Sequence, residues 1–215
     1  MSGPKLVIGN RNYSSWSLRP WLVMKMAGFA FEEVTIPLDH PGTAAEIARY
    51  SPAGRVPVLI DGDLHIWDSL AIIEYVAEAH PQVWPAERAA RARARSLSAE
   101  MHAGFTAVRE RYPMNIRATG RRIEPGEPEK QDIERIRGLL GDALARSGGP
   151  MLFGAFCAAD AMFAPVVMRF RTYGIDLGEG AQQWAETLSA LSPVRDWIEA
   201  ARKETWMIEH EEVGE

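Results

Sequence analysis

The chain is short of several features that would assign it to a class of protein at once. It has one cysteine, Cys157, among 215 residues, so it can form no internal disulfide and no cysteine cluster for a metal ion. Its formal net charge is −5 and it has no run of Lys and Arg, which argues against a nucleic-acid partner. It also has no apolar run of membrane-spanning length and no N-terminal signal sequence. We therefore expect a cytoplasmic protein that binds neither membranes nor metals.

The first eighty residues alternate between strand-like and helical patterns. Apolar runs at residues 5–9 and 31–36 flank a helical pattern that Gly28 is expected to end. Two further runs, at 55–60 and 64–67, are joined by a tight turn and followed by another helical pattern. This order, β-α-β-(α)-β-β-α, predicts a four-stranded mixed sheet, with the first two strands parallel.

The pattern changes to helices alone after a proline-bounded linker that begins at Pro81. Helices are predicted at residues 86–112, 129–146, 158–173, 181–191 and 194–204. Because 47% of the residues are apolar, the chain can bury a substantial core. We predict an α/β domain at residues 1–80, a linker at 81–87 and an all-helical domain at 88–215.

A serine-rich loop, Ser14-Ser15-Trp16-Ser17, joins the first strand to the first helix. A helix N-terminus carries unpaired N–H groups and the positive end of the helix dipole, so this position suits an anion. A simpler interpretation is that one serine caps the helix and does nothing else. The loop by itself leaves both interpretations open.

Four separated motifs, in the same order, resemble those of the glutathione transferase superfamily. The loop at 14–19 resembles the zeta-class sequence S-S-C-S-x-R, and residues 51–59 resemble N-P-x-G-x-V-P-x-L, which contains the cis-proline of that family. Residues 68–75 resemble [ED]-S-x-A-I-x-x-Y, and residues 154–160 resemble the capping box before the core helix of the second domain. The resemblance covers nearly the whole chain and implies a thioredoxin-like N-terminal domain followed by a helical one.

The resemblance also implies glutathione as co-substrate and assigns residues to it. The expected glutathione-binding residues are His40, Arg55, Val56, Pro57, Asp68 and Ser69. The backbone of Val56, before a cis Pro57, would bind the cysteinyl part as an added strand. Asp68 and Ser69 would bind the ammonium and carboxylate of the γ-glutamyl end, and His40 or Arg55 the glycyl carboxylate.

The expected chemistry is stabilisation of the glutathione thiolate by a serine hydroxyl. A hydroxyl that donates to sulfur favours the charged form and lowers the thiol pKa by about one to two units. Ser14 is the first choice for this donor and Ser15 the second, with Tyr13 as an alternative. Arg19 would either add positive field or serve in an ion pair. No Ser-His-Asp arrangement is evident, which counts against a hydrolase.

Trp16 replaces the cysteine of the zeta-class loop and is expected to line the second-substrate pocket. The other candidates for that pocket are Phe105, Arg109 and Tyr112, whose alternative is the core between helices, or the surface for Arg109. We expect conjugation of the thiolate to a small, apolar electrophile, and Arg109 or Arg117 would contribute if the electrophile is acidic. Cis–trans isomerisation of the maleylacetoacetate type and low-turnover ligand binding are the alternatives. The family resemblance further implies a homodimer.

Overall fold

A computed structural model describes residues 3–215 and contains one four-stranded mixed sheet. Its strands are β1 (Lys5–Ile8), β2 (Glu32–Thr35), β3 (Val58–Asp61) and β4 (Leu64–Trp67). The strand order is β2-β1-β3-β4, with β1 and β2 parallel and the other two pairs antiparallel. The predicted mixed sheet is therefore confirmed.

Helices surround and follow this sheet. The first three are α1 (Ser15–Ala27), α2 (Thr43–Ile47) and α3 (Ser69–Ala79), followed by a 3₁₀ turn at Pro81–Val83. The later ones are α4 (Arg88–Ala103), α5 (Thr106–Arg111), α6 (Glu127–Ser147), α7 (Ala158–Tyr173), α8 (Ala181–Ala190) and α9 (Ser192–Lys203), followed by a 3₁₀ turn at Glu209–Glu211. These elements confirm the predicted fold class, whereas the domain boundaries stay a prediction.

The alternation of side chains along β1 separates two apolar layers. Leu6 and Ile8 join a large core with α1 and α3. Val7 points to the opposite face and packs with Val58 and with Ile47 of α2. The sheet is thus covered on both faces, and the first strand leads directly from the core into the serine loop.

Two local predictions in the first part of the chain are confirmed. Gly28 ends α1 in the left-handed region at φ +72°, and its N–H donates to the carbonyl of Lys25. The Val56–Pro57 peptide bond is cis. The first feature ends the helix that follows the serine loop, and the second lies immediately before β3.

The prediction of a single helix over residues 86–112 is wrong. Gly104 is extended and Phe105 is left-handed at φ +58°, so the chain forms α4 and α5 instead. A Cβ at Gly104 would lie 2.9 Å from the Glu100 carbonyl oxygen, which explains why glycine occupies the break. The turn leaves His102 and Arg109 both in contact with Trp16.

Helix α7 forms the centre of the helical part. It is buried over nearly its whole length and packs against α1, α4 and α8. Within residues 3–215, none of the helices has the length and apolar character needed to cross a membrane. The same part of the chain holds no group of three or more His, Cys, Asp or Glu arranged around a metal position.

Candidate active site

The loop between β1 and α1 is held in place by the far end of the chain. The Glu204 carboxylate accepts from the backbone N–H groups of Arg11 (2.7 Å) and Asn12 (3.0 Å). The Trp197 indole donates to the Arg11 carbonyl at 3.0 Å. These contacts fix the turn from which Ser14 enters the helix, because Ser14 N–H in turn donates to the Asn10 carbonyl at 2.8 Å.

Ser14 occupies the N-cap position of α1, but its side chain makes no capping hydrogen bond. Its hydroxyl is 2.8 Å from the Ser17 hydroxyl, which accepts from the Gly9 N–H at 3.1 Å. The interpretation of Ser14 as a side-chain cap is therefore wrong. The residue belongs instead to a short chain of hydrogen bonds that begins at the end of β1.

Ser15 has a different environment. Its hydroxyl accepts from Nη2 of Arg169 in α7 at 3.2 Å, and the same guanidinium donates to the Tyr112 carbonyl at 2.8 Å. Burial lowers the pKa of Arg169 to about 10. Ser15 thus faces a buried cation of the helical part, whereas Ser14 faces the end of the sheet.

The hydroxyl of Tyr13, an alternative donor, is already engaged. It donates to the Glu212 carboxylate at 2.5 Å and accepts from Arg117 at 2.9 Å. Burial and the bond to Glu212 raise the pKa of Tyr13. This geometry favours a structural role for Tyr13, and it places Arg117 against the C-terminal segment.

A cavity of about 460 Å³ opens beside the serine loop. It is lined by Trp16, Ala53, Arg55, Val56, Pro57, Trp67, Asp68, Ser69 and His102. The structure thus brings together five of the six residues predicted for glutathione. The sixth, His40, is exposed outside this lining, and its N–H donates to the Thr43 hydroxyl at 3.0 Å.

The N-terminus of α3 forms one wall of the cavity. Asp68 lies at φ +75°, and its Oδ1 accepts from the N–H groups of Leu70 (2.8 Å) and Ala71 (3.3 Å). The hydroxyl of Ser69 is buried and has no hydrogen-bond partner among the described residues. An unpartnered hydroxyl at a helix N-terminus, beside a carboxylate, suits a ligand that carries both a carboxylate and an ammonium.

His102 of α4 is a cavity residue that the sequence did not reveal. Its Nε2 lies 3.1 Å from Oδ2 of Asp68, and its ring meets Trp16 edge-on at 5.2 Å between centroids. Nothing in the sequence neighbourhood of His102 suggests a site. Only the packing of α4 against the first part of the chain brings it to Asp68.

The residues expected in the second-substrate pocket separate into two pairs. Trp16 lines the cavity, and the guanidinium of Arg109 lies 5.2 Å from the centroid of its ring. Phe105 and Tyr112 instead lie in the core, where the Tyr112 hydroxyl donates to the Ile123 carbonyl at 3.2 Å. Of these four residues, therefore, Trp16 lines the cavity and Arg109 contacts it through Trp16, whereas Phe105 and Tyr112 lie away from it.

Comparison with known sequences finds a glutathione S-transferase family model and two maleylacetoacetate isomerases that are similar to this chain. The sequence model of the family described as "Glutathione S-transferase, N-terminal domain" matches residues 13–79. Maleylacetoacetate isomerase of Rhizobium meliloti is 31% identical over 179 residues, which are 76% of this chain and 81% of that protein. A probable maleylacetoacetate isomerase of Caenorhabditis elegans is 27% identical over 183 residues, which are 82% of this chain and 84% of that protein.

Comparison with solved structures extends the similarity to the fold. A glutathione transferase homolog from Burkholderia, crystallised with bound glutathione, matches with a TM-score of 0.74 and 24% sequence identity. The match covers 94% of this chain and 100% of that one. At this identity the match shows a shared fold, with the thioredoxin-like sheet and the helical part together.

Proposed function

This chain belongs to the glutathione S-transferase superfamily, and on that premise we propose that it activates the thiol of glutathione for attack on a small electrophile. The observation that carries the proposal is the cavity, which joins the Val56–Pro57 edge, the N-terminus of α3 and the serine loop. Its volume of about 460 Å³ is that of a small-molecule site.

The charges of the tripeptide match the groups on the cavity wall. The Ser69 hydroxyl and the N-terminus of α3 suit the γ-glutamyl carboxylate, and Asp68 suits the ammonium beside it. The Val56 backbone would pair with the cysteinyl part as an added strand. Arg55, on the same wall, is the better candidate for the glycyl carboxylate than the exposed His40.

The hydrogen bonds of the serine loop support Ser14 as the donor to sulfur. A hydroxyl can donate in either direction, so Ser17 can accept from Gly9 N–H and donate to Ser14. Ser14 then keeps its own proton for the thiolate, and each bond in the chain polarises the next. Ser15 stays the second candidate, since its oxygen accepts from Arg169 while its proton is free.

The reaction follows from this arrangement. Sulfur forms a bond to the electrophilic carbon, the displaced halide or other group leaves with the electron pair, and the thiol proton passes to solvent. The names of the relatives favour a second candidate, in which sulfur adds reversibly to a conjugated cis double bond and isomerises it. Both reactions need the same thiolate and differ in the second substrate.

We also propose a cytoplasmic homodimer with a role in detoxification. Leu64 and Trp67 of β4 are about half exposed, and such apolar side chains suit a contact surface. Trp67 also lines the cavity, so a partner subunit there would lie next to bound glutathione. Sedimentation of the protein and of a Leu64→Glu variant tests this arrangement.

The serine assignment is tested by titrating bound glutathione. Thiolate absorbance against pH gives the thiol pKa in the wild type, Ser14→Ala, Ser15→Ala and, as a control, Ser96→Ala on the exposed face of α4. We expect Ser14→Ala to raise the thiol pKa by about one to two units with nearly unchanged glutathione affinity.

Three outcomes, from that titration and from a turnover assay, contradict parts of the proposal. The same rise in the thiol pKa with Ser15→Ala alone transfers the role to Ser15. Absence of any glutathione binding overturns the function itself, and binding without turnover on a broad panel that includes a chlorinated nitroaromatic indicates a ligand-binding protein.

A further inference from the structure

Glu204 follows the last residue of α9, at the end of the helix where a negative charge is least favourable. The helix dipole places partial negative charge at this end, so an acidic side chain here opposes it. Within residues 3–215, its carboxylate has no Lys, Arg or His as an ion-pair partner. The contacts of this carboxylate must therefore be sought elsewhere.

Both oxygens of the Glu204 carboxylate bind the turn that leads into the serine loop. Oε1 accepts from the Arg11 N–H at 2.7 Å, and Oε2 accepts from the Asn12 N–H at 3.0 Å. Two successive backbone N–H groups that point at one anion form a concave site for negative charge, and such charge-assisted bonds are stronger than neutral ones. The turn is thus built around a carboxylate that comes from the far end of the chain.

The same turn sets the backbone of Ser14. The N–H groups of Tyr13 (3.3 Å) and Ser14 (2.8 Å) both donate to the Asn10 carbonyl, so this turn encloses the two peptide groups that Glu204 binds. In the described part of the chain, Glu204 itself bonds to none of the serines, and it lies outside the cavity lining. An influence of Glu204 on the Ser14 hydroxyl must therefore pass through the backbone.

Arg117 fixes both partners of this contact from the segment after α5. Its Nη1 donates to the Glu204 carbonyl, and its Nη2 donates to the Trp206 carbonyl at 2.7 Å. Its backbone N–H donates to Oδ1 of Asn12 at 2.8 Å, and Asn12 is 0% exposed. The carboxylate and the turn are therefore held in register by a third element, which makes the arrangement rigid enough to position a neighbouring group.

We propose that Glu204 is a positioning residue, which holds the backbone of the serine loop so that the Ser14 hydroxyl points at the sulfur of glutathione. This inference rests on the proposed function and deepens it, because stabilisation of the thiolate then requires a residue outside the cavity as well as the serine. The groups proposed to bind the tripeptide lie on the opposite wall, at Val56 and at the start of α3. Loss of Glu204 should therefore change the thiol pKa and leave the affinity for the tripeptide nearly unaltered.

The test compares Glu204→Gln and Glu204→Ala with the matched control Glu199→Ala. Glu199 is an exposed carboxylate of the same helix and pairs with Lys203 at 2.6 Å. Thiolate absorbance against pH gives the pKa of bound glutathione without a second substrate, and calorimetry with S-methylglutathione gives the affinity without an ionisable thiol. Glutamine keeps the side-chain length but presents one acceptor oxygen instead of two.

We expect Glu204→Gln to raise the pKa of the bound thiol by about half to one unit, because a displaced hydroxyl loses part of its bond to sulfur. Glu204→Ala should raise it further. The direction is informative, since loss of a nearby negative charge by itself would lower a thiol pKa. The affinity for S-methylglutathione should stay within about twofold of the wild type. Glu199→Ala should match the wild type in both measurements.

A double variant tests whether the effect passes through Ser14. In a Ser14→Ala background, Glu204→Gln should change the thiol pKa very little, because no hydroxyl remains there to be positioned. Glu204→Gln is nearly isosteric, so the test stays usable if Glu204→Ala fails to fold, which circular dichroism would show.

Three results overturn the inference alone, in a protein that binds glutathione. The first is a thiol pKa that Glu204→Gln leaves unchanged or lowers. The second is the full rise in the thiol pKa in the Ser14→Ala background as well. The third is a loss of S-methylglutathione affinity without a change in the thiol pKa. A protein that binds no glutathione overturns the proposed function, and this inference with it.

Discussion

The N-termini of α3 and α7 both hold an aspartate that accepts from backbone N–H groups, but they face different surroundings. The Asp68 side chain is 43% exposed and borders the cavity. Asp160 is 0% exposed and lies inside the helical core. The same local chemistry thus occurs once at a binding surface and once in the interior.

The two aspartates differ in which carboxylate oxygens, and which neighbouring polar groups, remain available to a ligand. Asp160 accepts from Leu152 N–H (3.0 Å), Cys157 N–H (2.9 Å) and the Trp184 indole (2.8 Å). Asp68 uses one oxygen for its helix and leaves the other beside His102, with the unpartnered Ser69 hydroxyl next to it. A helix N-terminus can bind a ligand when donors or acceptors remain unsatisfied, and it stabilises the fold when none does.

Cys157 strengthens the structural interpretation of the α7 terminus. Its thiol and Asp160 form a reciprocal capping box, as the sequence predicted. Burial raises the pKa of the Cys157 thiol far above its usual range. The thiol therefore stays protonated near neutral pH and is unsuited to disulfide chemistry.

The largest expected effect comes from Asp160→Ala. The change leaves the donors of Leu152, Cys157 and Trp184 buried without an acceptor, so we expect the free energy of unfolding to fall by about 3 kcal/mol or more. The melting temperature should fall by roughly 6 °C or more. Urea and thermal unfolding followed by circular dichroism check this. A loss no larger than that of Asp68→Ala would remove the proposed distinction between the two helix ends.

Asp68→Ala should affect binding more than stability. Loss of the cap costs about 1 kcal/mol of stability, whereas glutathione affinity should fall by about tenfold or more because the ammonium loses its carboxylate. Calorimetric titration with glutathione measures the affinity, and the pKa of the bound thiol should change little. Unaltered affinity together with a shifted thiol pKa would place Asp68 in a different role.

The smallest effect on stability is expected for Ser69→Ala. The buried hydroxyl has no partner in the described chain, so its removal should leave the free energy of unfolding within about 0.5 kcal/mol or raise it. Glutathione affinity should nevertheless fall by about three- to tenfold. Ser98→Ala is the matched control, because the Ser98 hydroxyl is also buried and unpartnered but lies outside the cavity lining. Equal binding losses in both variants would contradict a specific contact of Ser69.

The structural features that the sequence predicts best are those that depend on residues close together in the chain. The mixed sheet with β1 and β2 parallel, the end of α1 at Gly28 and the cis bond before Pro57 each follow from local patterns in the sequence. The break at Gly104 was missed because an Ala- and Arg-rich pattern continues across it, and a lone glycine is tolerated in many helices.

Contacts between distant elements could not be predicted in this way. His102 meets Asp68, and Arg169 meets Ser15, only because α4 and α7 pack against the first part of the chain. The same limit explains why Phe105 and Tyr112 were expected near the substrate although they lie in the core. Helical spacing identifies a buried face but does not tell which neighbour that face meets.

The contacts between the serine loop and Glu204 have a consequence for biosynthesis. The bond from Arg11 N–H to Glu204 joins residues 193 positions apart. Translation produces the loop 193 residues before its anchor, so a nascent chain carries β1 and α1 through that stretch of synthesis before this support exists. The order of synthesis thus delays completion of the serine loop until the helical part has emerged, and contacts of such long separation also slow folding.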